Sequence, residues 1–439
     1  MKRRDFIQKW AMVGGVIGAG SRDMFGASDA GMGSLDQRKD GSTPRAWTAL
    51  KPGDVKAISG PGTDAPNTMS DVMYLTPAGE GSRNGTGYFG NWCSGVYAPN
   101  DGMLGAMVFS NGGDADYWGN EVYKFSIETR TWSRECVRST GINGRRSVGG
   151  DPNFDGTWGE HITPGGTPPP QPGVPHSYDQ MEYLPPHLGG GAKGSFMFCT
   201  RTIVYGYRGF NHPHVFNLYA KAWRHGSTTP GIVAFGASDS PTWCFDSNRN
   251  RFWGLMGGAS GIQNEAIRYL DFNSNTGLAT SGGIAMPTFL SPNGYPVSRY
   301  WPTGDLMMVL GKSGDVVKLF SASLEIVGKS GFSSLNLGGA TLPATGQGYG
   351  LAYCDAMDCF FVRTAAGHRQ KIWKITPPKS NYLRSAWIVD EITMRGSAVI
   401  GEGNPQGMWK RFMYVPPLKC LMWVDDIKGG VYAYRPMGT

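Results

Sequence analysis

The hydrophobic pattern of residues 94–134 is that of a small β-sheet. Two apolar runs of strand length, 94–98 and 104–110, flank a stretch of Pro, Asn, Asp and Gly that is typical of a tight turn. A glycine pair then breaks the chain, and the segment 121–127 alternates apolar and polar residues at the strand period. A fourth strand begins at Thr131. The pattern therefore predicts four antiparallel strands in about 45 residues, too few to bury both faces of the sheet alone.

The same unit recurs along the chain, with an aromatic residue at the end of each first strand. These residues are Tyr97, Tyr183, Phe245, Trp301, Tyr353 and Tyr414. Second strands are predicted at 196–200, 251–258, 306–311, 359–364 and 420–426, and third strands at 214–218, 266–270, 315–320, 371–375 and 430–434. A β-sandwich is the alternative, but the constant order of hairpin, glycine break and third strand favours a β-propeller.

The last unit ends after its third strand, and the start of the chain offers the missing fourth. Ala46-Trp47 resembles Thr131-Trp132, so we expect residues 45–50 to complete the last blade and close the ring, which removes exposed sheet edges. The predicted fold is all-β: a single propeller over 45–439 with six four-stranded antiparallel blades. Seven blades would require a further blade within 55–90 or 137–175.

The first unit also resembles a known family. Gly112-Gly113, then Phe125, then Trp132 seven positions later is similar to the kelch repeat of propellers like the central domain of galactose oxidase. Phe216 with Trp223, and the glycine pairs at 257–258 and 429–430, repeat parts of this pattern. The resemblance covers most of residues 91–439. It implies a kelch-type propeller, a fold that serves copper-radical oxidases as well as pure binding scaffolds, so it does not give the function.

Residues 1–30 have the composition of an export signal. A basic start is followed by a short, mildly apolar run that is too short to span a bilayer. The order Arg3-Arg4-Asp5-Phe6-Ile7 resembles a bacterial twin-arginine signal, although Gln8 stands where a lysine is common. An ordinary secretion signal or a chance basic terminus is the alternative. We expect a flexible linker at 31–44, a periplasmic or secreted product, and no membrane span after signal removal.

Composition agrees with an exported β-rich chain. Glycine accounts for 66 of the 439 residues, and charged residues for only 17%, against a usual figure of about 25%. The net charge is +7, and the first thirty residues hold five basic and three acidic side chains, which leaves +5 for the remainder. No Lys- or Arg-rich run is present, so nucleic acid is not an expected partner, whereas an acidic glycan or a cell-envelope partner stays open. We expect a monomer.

Seven cysteines in an oxidising compartment could form up to three disulfides. Cys354 and Cys359 flank a four-residue turn, so a disulfide across that hairpin is conceivable but geometrically demanding. The favoured interpretation is that the cysteines are small buried apolar residues. No cofactor is predicted, and the ligand spacing does not support a metal ion.

Candidate site residues lie in the connections that a propeller usually gathers on its ligand face. These are the segments between second and third strands and the long Gly- and Pro-rich loop at 137–175. The ligand-binding candidates are Asp114, Tyr117, Trp118, Arg201, Tyr205, Arg208, Glu265 and Arg363. The catalytic candidates are His161, His176 and Tyr207. Aromatic rings suit sugar faces, arginines suit carboxylates, and histidine is the usual proton-transfer group near neutral pH.

Two functions of different classes follow from these candidates. The first is an exported binding propeller whose loop face holds a carbohydrate or another extracellular partner. The second is an enzyme on the same face, a lyase or hydrolase for an acidic polysaccharide. A copper-radical oxidase is disfavoured because the chain has no Tyr-His dipeptide and no cysteine in a central loop. The lack of a visible catalytic motif favours binding.

Overall fold

The computed structural model describes most of the chain beyond its first fifty residues. The described residues are 47, 50–73, 93–110, 121–136, 160–161, 171–172, 177–198, 214–224, 242–255, 266–272, 279–285, 295–311, 317–321, 332–334, 336–345, 348–364, 367–382, 384–396, 398, 400, 407–426 and 428–438. Residues 50–439 form one compact unit, to which everything below refers, and 1–49 form another. The predicted signal and linker lie outside the described residues.

Three sheets come first in the chain, and each is an antiparallel meander in sequence order. Sheet A consists of Gly95–Ala98, Ala106–Ser110, Val122–Ser126 and Thr131–Cys136. Sheet B consists of Glu182–Leu184, Ser195–Phe198, His214–Asn217 and Ala222–Arg224. Sheet C consists of Thr242–Asp246, Arg251–Leu255, Ala266–Phe272 and Ala279–Ala285. Between A and B, the short strands Glu160–His161 and Gln171–Pro172 pair with each other.

The second half of the chain repeats this arrangement. Sheet D consists of Val297–Trp301, Leu306–Leu310, Val317–Ser321 and Phe332–Ser334. Sheet E consists of Gly350–Cys354, Cys359–Arg363, Lys371–Thr376 and Trp387–Thr393, with Leu337–Gly339 added parallel to its last strand. Sheet F consists of Phe412–Val415, Cys420–Val424, Val431–Tyr434 and Val55–Ser59. Within the described ranges, five sheets (A, B, C, D and F) have four strands each, whereas E has five. The prediction of six four-stranded antiparallel blades is therefore wrong, because Leu337–Gly339 adds a parallel strand to sheet E.

The strand that completes sheet F comes from the start of the unit, as expected, but from a different segment. Val55–Ser59 pairs antiparallel with Val431–Tyr434, with Val55 opposite Tyr434 and Lys56 opposite Ala433. The prediction that residues 45–50 form this strand is wrong. The prediction depended on the likeness of Trp47 to Trp132. The strand Val55–Ser59 instead buries both Val55 and Ile58, and these side chains anchor it against sheet F.

Consecutive sheets pack on one another around a closed ring. Shared clusters of buried apolar side chains join A to B, B to C, D to E and E to F. The Thr242 and Ser298 hydroxyls, 2.6 Å apart, join the first strands of C and D. Arg130 of sheet A donates to the Ile58 carbonyl of sheet F at 3.5 Å. The unit is therefore an all-β propeller with four-stranded antiparallel blades, and each sheet is called a blade below.

Cross-strand aromatic pairs fill the outer part of the first two blades. Phe125 lies opposite Trp132 with ring centroids 5.3 Å apart, and Phe216 lies opposite Trp223 at 5.2 Å. Both pairs have the seven-residue spacing on which the resemblance to the kelch repeat rests. Packing between such cross-strand neighbours is a main source of sheet stability.

In the described part of residues 50–439, helical structure is limited to short turns, whereas Trp47, in the preceding unit, is α-helical. These 3-10 turns include Met69–Asp71, Pro186–Leu188, Asp355–Met357, Trp409–Arg411 and Pro416–Leu418. None of the described residues belongs to a helix with the length and apolar character needed to cross a membrane.

One four-residue hairpin turn recurs throughout the propeller. Its last residue has a left-handed backbone conformation, with φ between 48° and 57°, at Arg130, Lys221, Asn250, Asp305, Asp358 and Lys419. Side chains other than Gly, Asn and Asp adopt this conformation at a cost of about 1 kcal/mol. The two aspartates also accept hydrogen bonds from neighbouring side chains. The Asp358 carboxylate, for example, accepts from Trp301 Nε1 at 2.6 Å and from Tyr353 Oη at 2.8 Å.

Glycine at these turns should therefore have opposite effects at two matched positions. Lys419→Gly relieves the left-handed strain, so we expect it to raise the free energy of unfolding by about 0.5 kcal/mol after the entropy cost of glycine. Asp358→Gly leaves the partly buried donors of Trp301 and Tyr353 without their acceptor, so we expect a loss of about 2 kcal/mol. Urea denaturation of both variants measures the difference. Equal effects would contradict this account of the turns.

Blades A and B share a cluster of charged side chains. Lys124 Nζ lies 3.0 Å from the Asp101 carboxylate and 3.5 Å from that of Glu135. Lys193 binds Asp101 at 2.6 Å, and Lys221 binds Glu135 at 3.2 Å. Burial alone would raise the pKa of Asp101, but the hydrogen bonds from Lys193 and Lys124 outweigh it and hold the pKa below its usual value.

The lowered pKa of Asp101 predicts acid sensitivity at this contact. A carboxyl group whose pKa is lower in the folded state stabilises the fold above its unfolded pKa and loses that effect as the pH falls through the folded value. Below about pH 5 the wild-type protein should therefore lose stability more steeply than Asp101→Asn, which cannot titrate. Urea unfolding midpoints between pH 7 and pH 3 test this expectation. Parallel profiles for the two proteins would refute it.

Candidate functional site

The first strands of blades A to F meet around a pocket with a volume of about 230 Å³. Each strand places one aromatic side chain there, and these are Tyr97, Tyr183, Phe245, Tyr300, Tyr353 and Tyr414. Each aromatic residue lies just before the turn into the second strand. The pocket, called the central pocket below, is therefore built from residues close to one edge of the sheets.

Five of these aromatic residues are those that align in the sequence, and one differs. Tyr300 pairs with Met307 in blade D as Tyr353 pairs with Phe360 in blade E, so Tyr300 holds the equivalent position. The assignment of Trp301 to this position is wrong by one residue. Trp301 instead packs between blades D and E, with its ring 5.0 Å from that of Trp387. A one-residue change of register moves a side chain to the other face of a strand.

Hydrogen bonds to nearby turns hold several of the rings in place. Tyr183 Oη donates to Asn100 Oδ1 at 2.7 Å, and Tyr300 Oη donates to Asp305 Oδ1 at 2.6 Å. Tyr97 Oη donates to the Leu104 carbonyl at 3.0 Å. Burial raises the pKa of Tyr97, Tyr183 and Tyr300, so these hydroxyls stay neutral at physiological pH. The pocket wall is thus rigid and amphipathic.

A buried lysine crosses the centre of the ring and joins three blades. Lys410, only 5% exposed, lies just before blade F. Its Nζ donates two hydrogen bonds to blade B, one to Glu182 Oε1 and one to the Met181 carbonyl. A third hydrogen bond, 2.6 Å long, goes to the Trp243 carbonyl of blade C. Burial raises the pKa of the Glu182 carboxyl group, while the charges of Lys410 and Arg299 oppose the rise.

A second ionic group lies beside the first. Asp179 is fully buried, and its carboxylate accepts from the Ser298 backbone N–H at 2.9 Å and from Arg299 Nη1 at 3.1 Å. The Thr242 hydroxyl donates to the same carboxylate. Asp179 therefore ties blade B to blades C and D. Because buried polar groups in such networks are satisfied by fixed partners, the network holds the first strands in register around the pocket.

The charges around the central pocket are balanced. Glu182, Arg299 and Lys410 line it, and Asp179 binds Arg299 from behind. Both carboxylates already accept hydrogen bonds from cationic side chains, which disfavours a proton-transfer role. The arrangement offers fixed donors and acceptors next to aromatic faces, and this combination orients a small polar ligand.

The predicted ligand-binding residue Arg363 lies elsewhere, between blades E and F. It is 1% exposed, its Nη2 lies 3.5 Å from Asp425 Oδ2, and its guanidinium stacks 4.7 Å from the Trp423 ring. His161 ends the short strand Glu160–His161. The other candidates lie outside the described residues, and their roles stay predictions: Asp114, Tyr117, Trp118, His176, Arg201, Tyr205, Tyr207, Arg208 and Glu265.

Sequence reasoning missed the charged residues of the central pocket, although one signal points to them. The residue before each aligned aromatic is apolar in most blades, as with Val96 in blade A and Ala352 in blade E. In blade B it is Glu182, and in blade D it is Arg299 once the observed register replaces Trp301 with Tyr300 in the alignment. Opposite charges at equivalent positions of an apolar strand indicate a buried pair near the axis. Lys410 lies before the first strand of blade F, so an alignment of the first strands does not include it.

Comparisons with known proteins give weak similarity. No protein-family model and no curated protein sequence matches this chain. An auxiliary nutrient binding protein from Bacteroides ovatus is 10% identical, with 86% of this chain and 75% of that chain covered and a TM-score of 0.41. Virginiamycin B lyase from Staphylococcus aureus is 13% identical, with 79% and 96% covered and a TM-score of 0.40. These values are too low to assign a function, and the fold assignment rests on the sheet order.

Proposed function

We propose that this chain is an exported binding propeller whose central pocket holds a small carbohydrate. The observation that carries the proposal is the composition of that pocket: rigid aromatic side chains from every blade surround a buried, charge-balanced set of hydrogen-bonding groups. Sugar rings present apolar faces and a rim of hydroxyl groups, so aromatic walls with fixed donors and acceptors suit them.

The pocket size narrows the ligand class. A volume of about 230 Å³ lies below the roughly 300–1,000 Å³ of pockets for drug-sized ligands. The pocket therefore fits one sugar ring or one end of a longer glycan. Both signs of charge are present, with Glu182 balanced by Lys410, so neutral and acidic sugars both belong in the test panel.

Calorimetric titration with a panel of neutral monosaccharides and uronic acids tests the proposal. Tyr353→Ala removes one aromatic wall, and we expect about tenfold weaker binding, the upper range for a single aromatic contact. Tyr219→Ala is the matched control, because Tyr219 is 68% exposed in a turn of blade B. Equal binding by wild type and Tyr353→Ala, or no binding across the panel, contradicts the proposal. Release of an unsaturated product would instead indicate a polysaccharide lyase on the loop face.

Two finer points belong to the same proposal. The cross-strand pairs Phe125–Trp132 and Phe216–Trp223 support a kelch-type propeller. Residues 1–30 direct twin-arginine export to the periplasm or medium. Fusing those residues to a folded reporter, with Arg3 and Arg4 replaced by lysine as the control, tests the export route.

A further inference from the structure

Two cysteines lie directly opposite each other at the end of a hairpin in blade E. Cys354 ends the first strand, Cys359 begins the second, and the register pairs them. Opposed residues of an antiparallel pair have Cα atoms about 4.5 or 5.5 Å apart, depending on the hydrogen-bonding position. Both separations fall within the roughly 4.4–6.8 Å that a disulfide spans. The hairpin therefore provides the Cα–Cα separation that a disulfide between Cys354 and Cys359 requires.

The other strand cysteines within the described ranges have no such neighbour. Cys244 lies opposite Trp253, and Cys136 lies opposite Val122. Cys420 provides the closest comparison. It begins the second strand of blade F after the same four-residue turn, but Val415 occupies the opposite position. Blade E is thus distinguished from its neighbour by a second thiol.

The two thiols also differ in reactivity. A hydrogen bond with Cys359 lowers the pKa of Cys354, and the same contact together with burial raises the pKa of Cys359. Thiolate is the nucleophile in disulfide exchange, so Cys354 is the attacking group. Both side chains are buried, but Asp355 and Ala356 in the turn between them are exposed, so opening the hairpin end brings the thiols to solvent.

We propose that Cys354 and Cys359 form a disulfide that closes the first hairpin of blade E when a disulfide oxidant is present. With glutathione disulfide, the Cys354 thiolate attacks one sulfur and releases the first glutathione as a thiolate. Cys359 then loses its proton, and its sulfur attacks Cys354 in the mixed disulfide and releases the second glutathione. The two protein thiols are oxidised by two electrons, and one glutathione disulfide is reduced to two thiols.

The disulfide lies against the wall of the central pocket. Asp358, in the same turn, accepts a hydrogen bond from the hydroxyl of Tyr353, a pocket residue. Closing the hairpin end holds this turn together and so fixes the position of one aromatic wall. The inference does not depend on the nature of the ligand or on export. It is tested on the purified full-length chain.

Peptide mass measurement after incubation with oxidised or reduced glutathione decides the question. Residues 330–363 lie between tryptic cleavage sites and contain these two cysteines and no other. After oxidation, alkylation under denaturing conditions and digestion, we expect this peptide to be unalkylated and lighter by two hydrogen atoms. The melting temperature of the oxidised protein should rise on the order of 2 °C, as expected for a short closed loop in a chain of this size.

Two variants serve as controls. Cys354→Ser should abolish the shift in both measurements, whereas Cys420→Ser should retain it. Full alkylation of both cysteines after oxidation overturns the proposal, and so does pairing of either one with a different cysteine. Should Cys354→Ser fail to fold, the peptide mass of the wild-type protein still decides.

Discussion

Replacing Lys410 with methionine is expected to lower the free energy of unfolding by about 3–5 kcal/mol. The substitution removes three hydrogen bonds that join blades B, C and F, and it leaves Glu182 buried without its nearest cation. Methionine keeps a similar length and volume, so loss of the charge dominates the effect. Urea denaturation followed by tryptophan fluorescence measures it.

The double variant Lys410→Met with Glu182→Leu provides the control for that experiment. Removing both charges leaves no uncompensated ion, so at least half of the lost stability should return. Wild-type stability for Lys410→Met alone would contradict the central role of this pair. A double variant as unstable as the single one would show that the hydrogen bonds to the Met181 and Trp243 carbonyls, rather than the ion pair, carry the effect.

Arg363→Met is expected to cost about 3 kcal/mol, for a related reason. Asp425 is buried beside Arg363, and burial already raises the pKa of its carboxyl group. Loss of the arginine also removes the stacking on Trp423. Arg411 stays nearby and donates to the Asp425 carbonyl, so we place the effect at the lower end of the range for a broken buried pair.

The pH dependence distinguishes this explanation from simple loss of packing. A carboxyl group whose folded pKa lies above the unfolded value favours the folded state at low pH and disfavours it as the pH rises through the folded value. Without Arg363 this effect should grow, so the deficit of Arg363→Met should shrink between pH 7 and pH 5. Adding Asp425→Asn should remove the pH dependence. A deficit that stays constant with pH would indicate packing alone.

The strands of this propeller are largely predictable because each one alternates or runs apolar over a length bounded by turn residues. The second strand predicted at 306–311, for instance, is found at Leu306–Leu310, and the third predicted at 371–375 is found at Lys371–Thr376. Register is harder, because Tyr300 and Trp301 are adjacent aromatic residues and only the pairing distinguishes them. Local pattern therefore identifies strands more readily than it identifies which face a side chain occupies.

The central pocket is less predictable because it is assembled by closure of the ring. Glu182 and Lys410 are far apart in the chain and meet only when the first strands of blades B and F approach the same axis. No local periodicity encodes that approach. The charge at Glu182 is visible in the alignment of units, whereas the charge at Arg299 becomes visible only when Tyr300 replaces Trp301 in that alignment. The partners of these charges lie outside the aligned positions. Because loops commonly carry function, sequence patterns favour candidate residues in the connections rather than in the buried first strands.

The most direct test of the account is whether the two ends of the propeller unit pair, since the central pocket exists only in a closed ring. Lys56 lies opposite Ala433 in the closing pair of strands. In the variant carrying Lys56→Cys and Ala433→Cys, oxidation should link the peptides that contain these positions, while Lys51→Cys with Ala433→Cys should not link them. A folded Lys56→Cys/Ala433→Cys protein whose two new thiols stay free would contradict ring closure by Val55–Ser59.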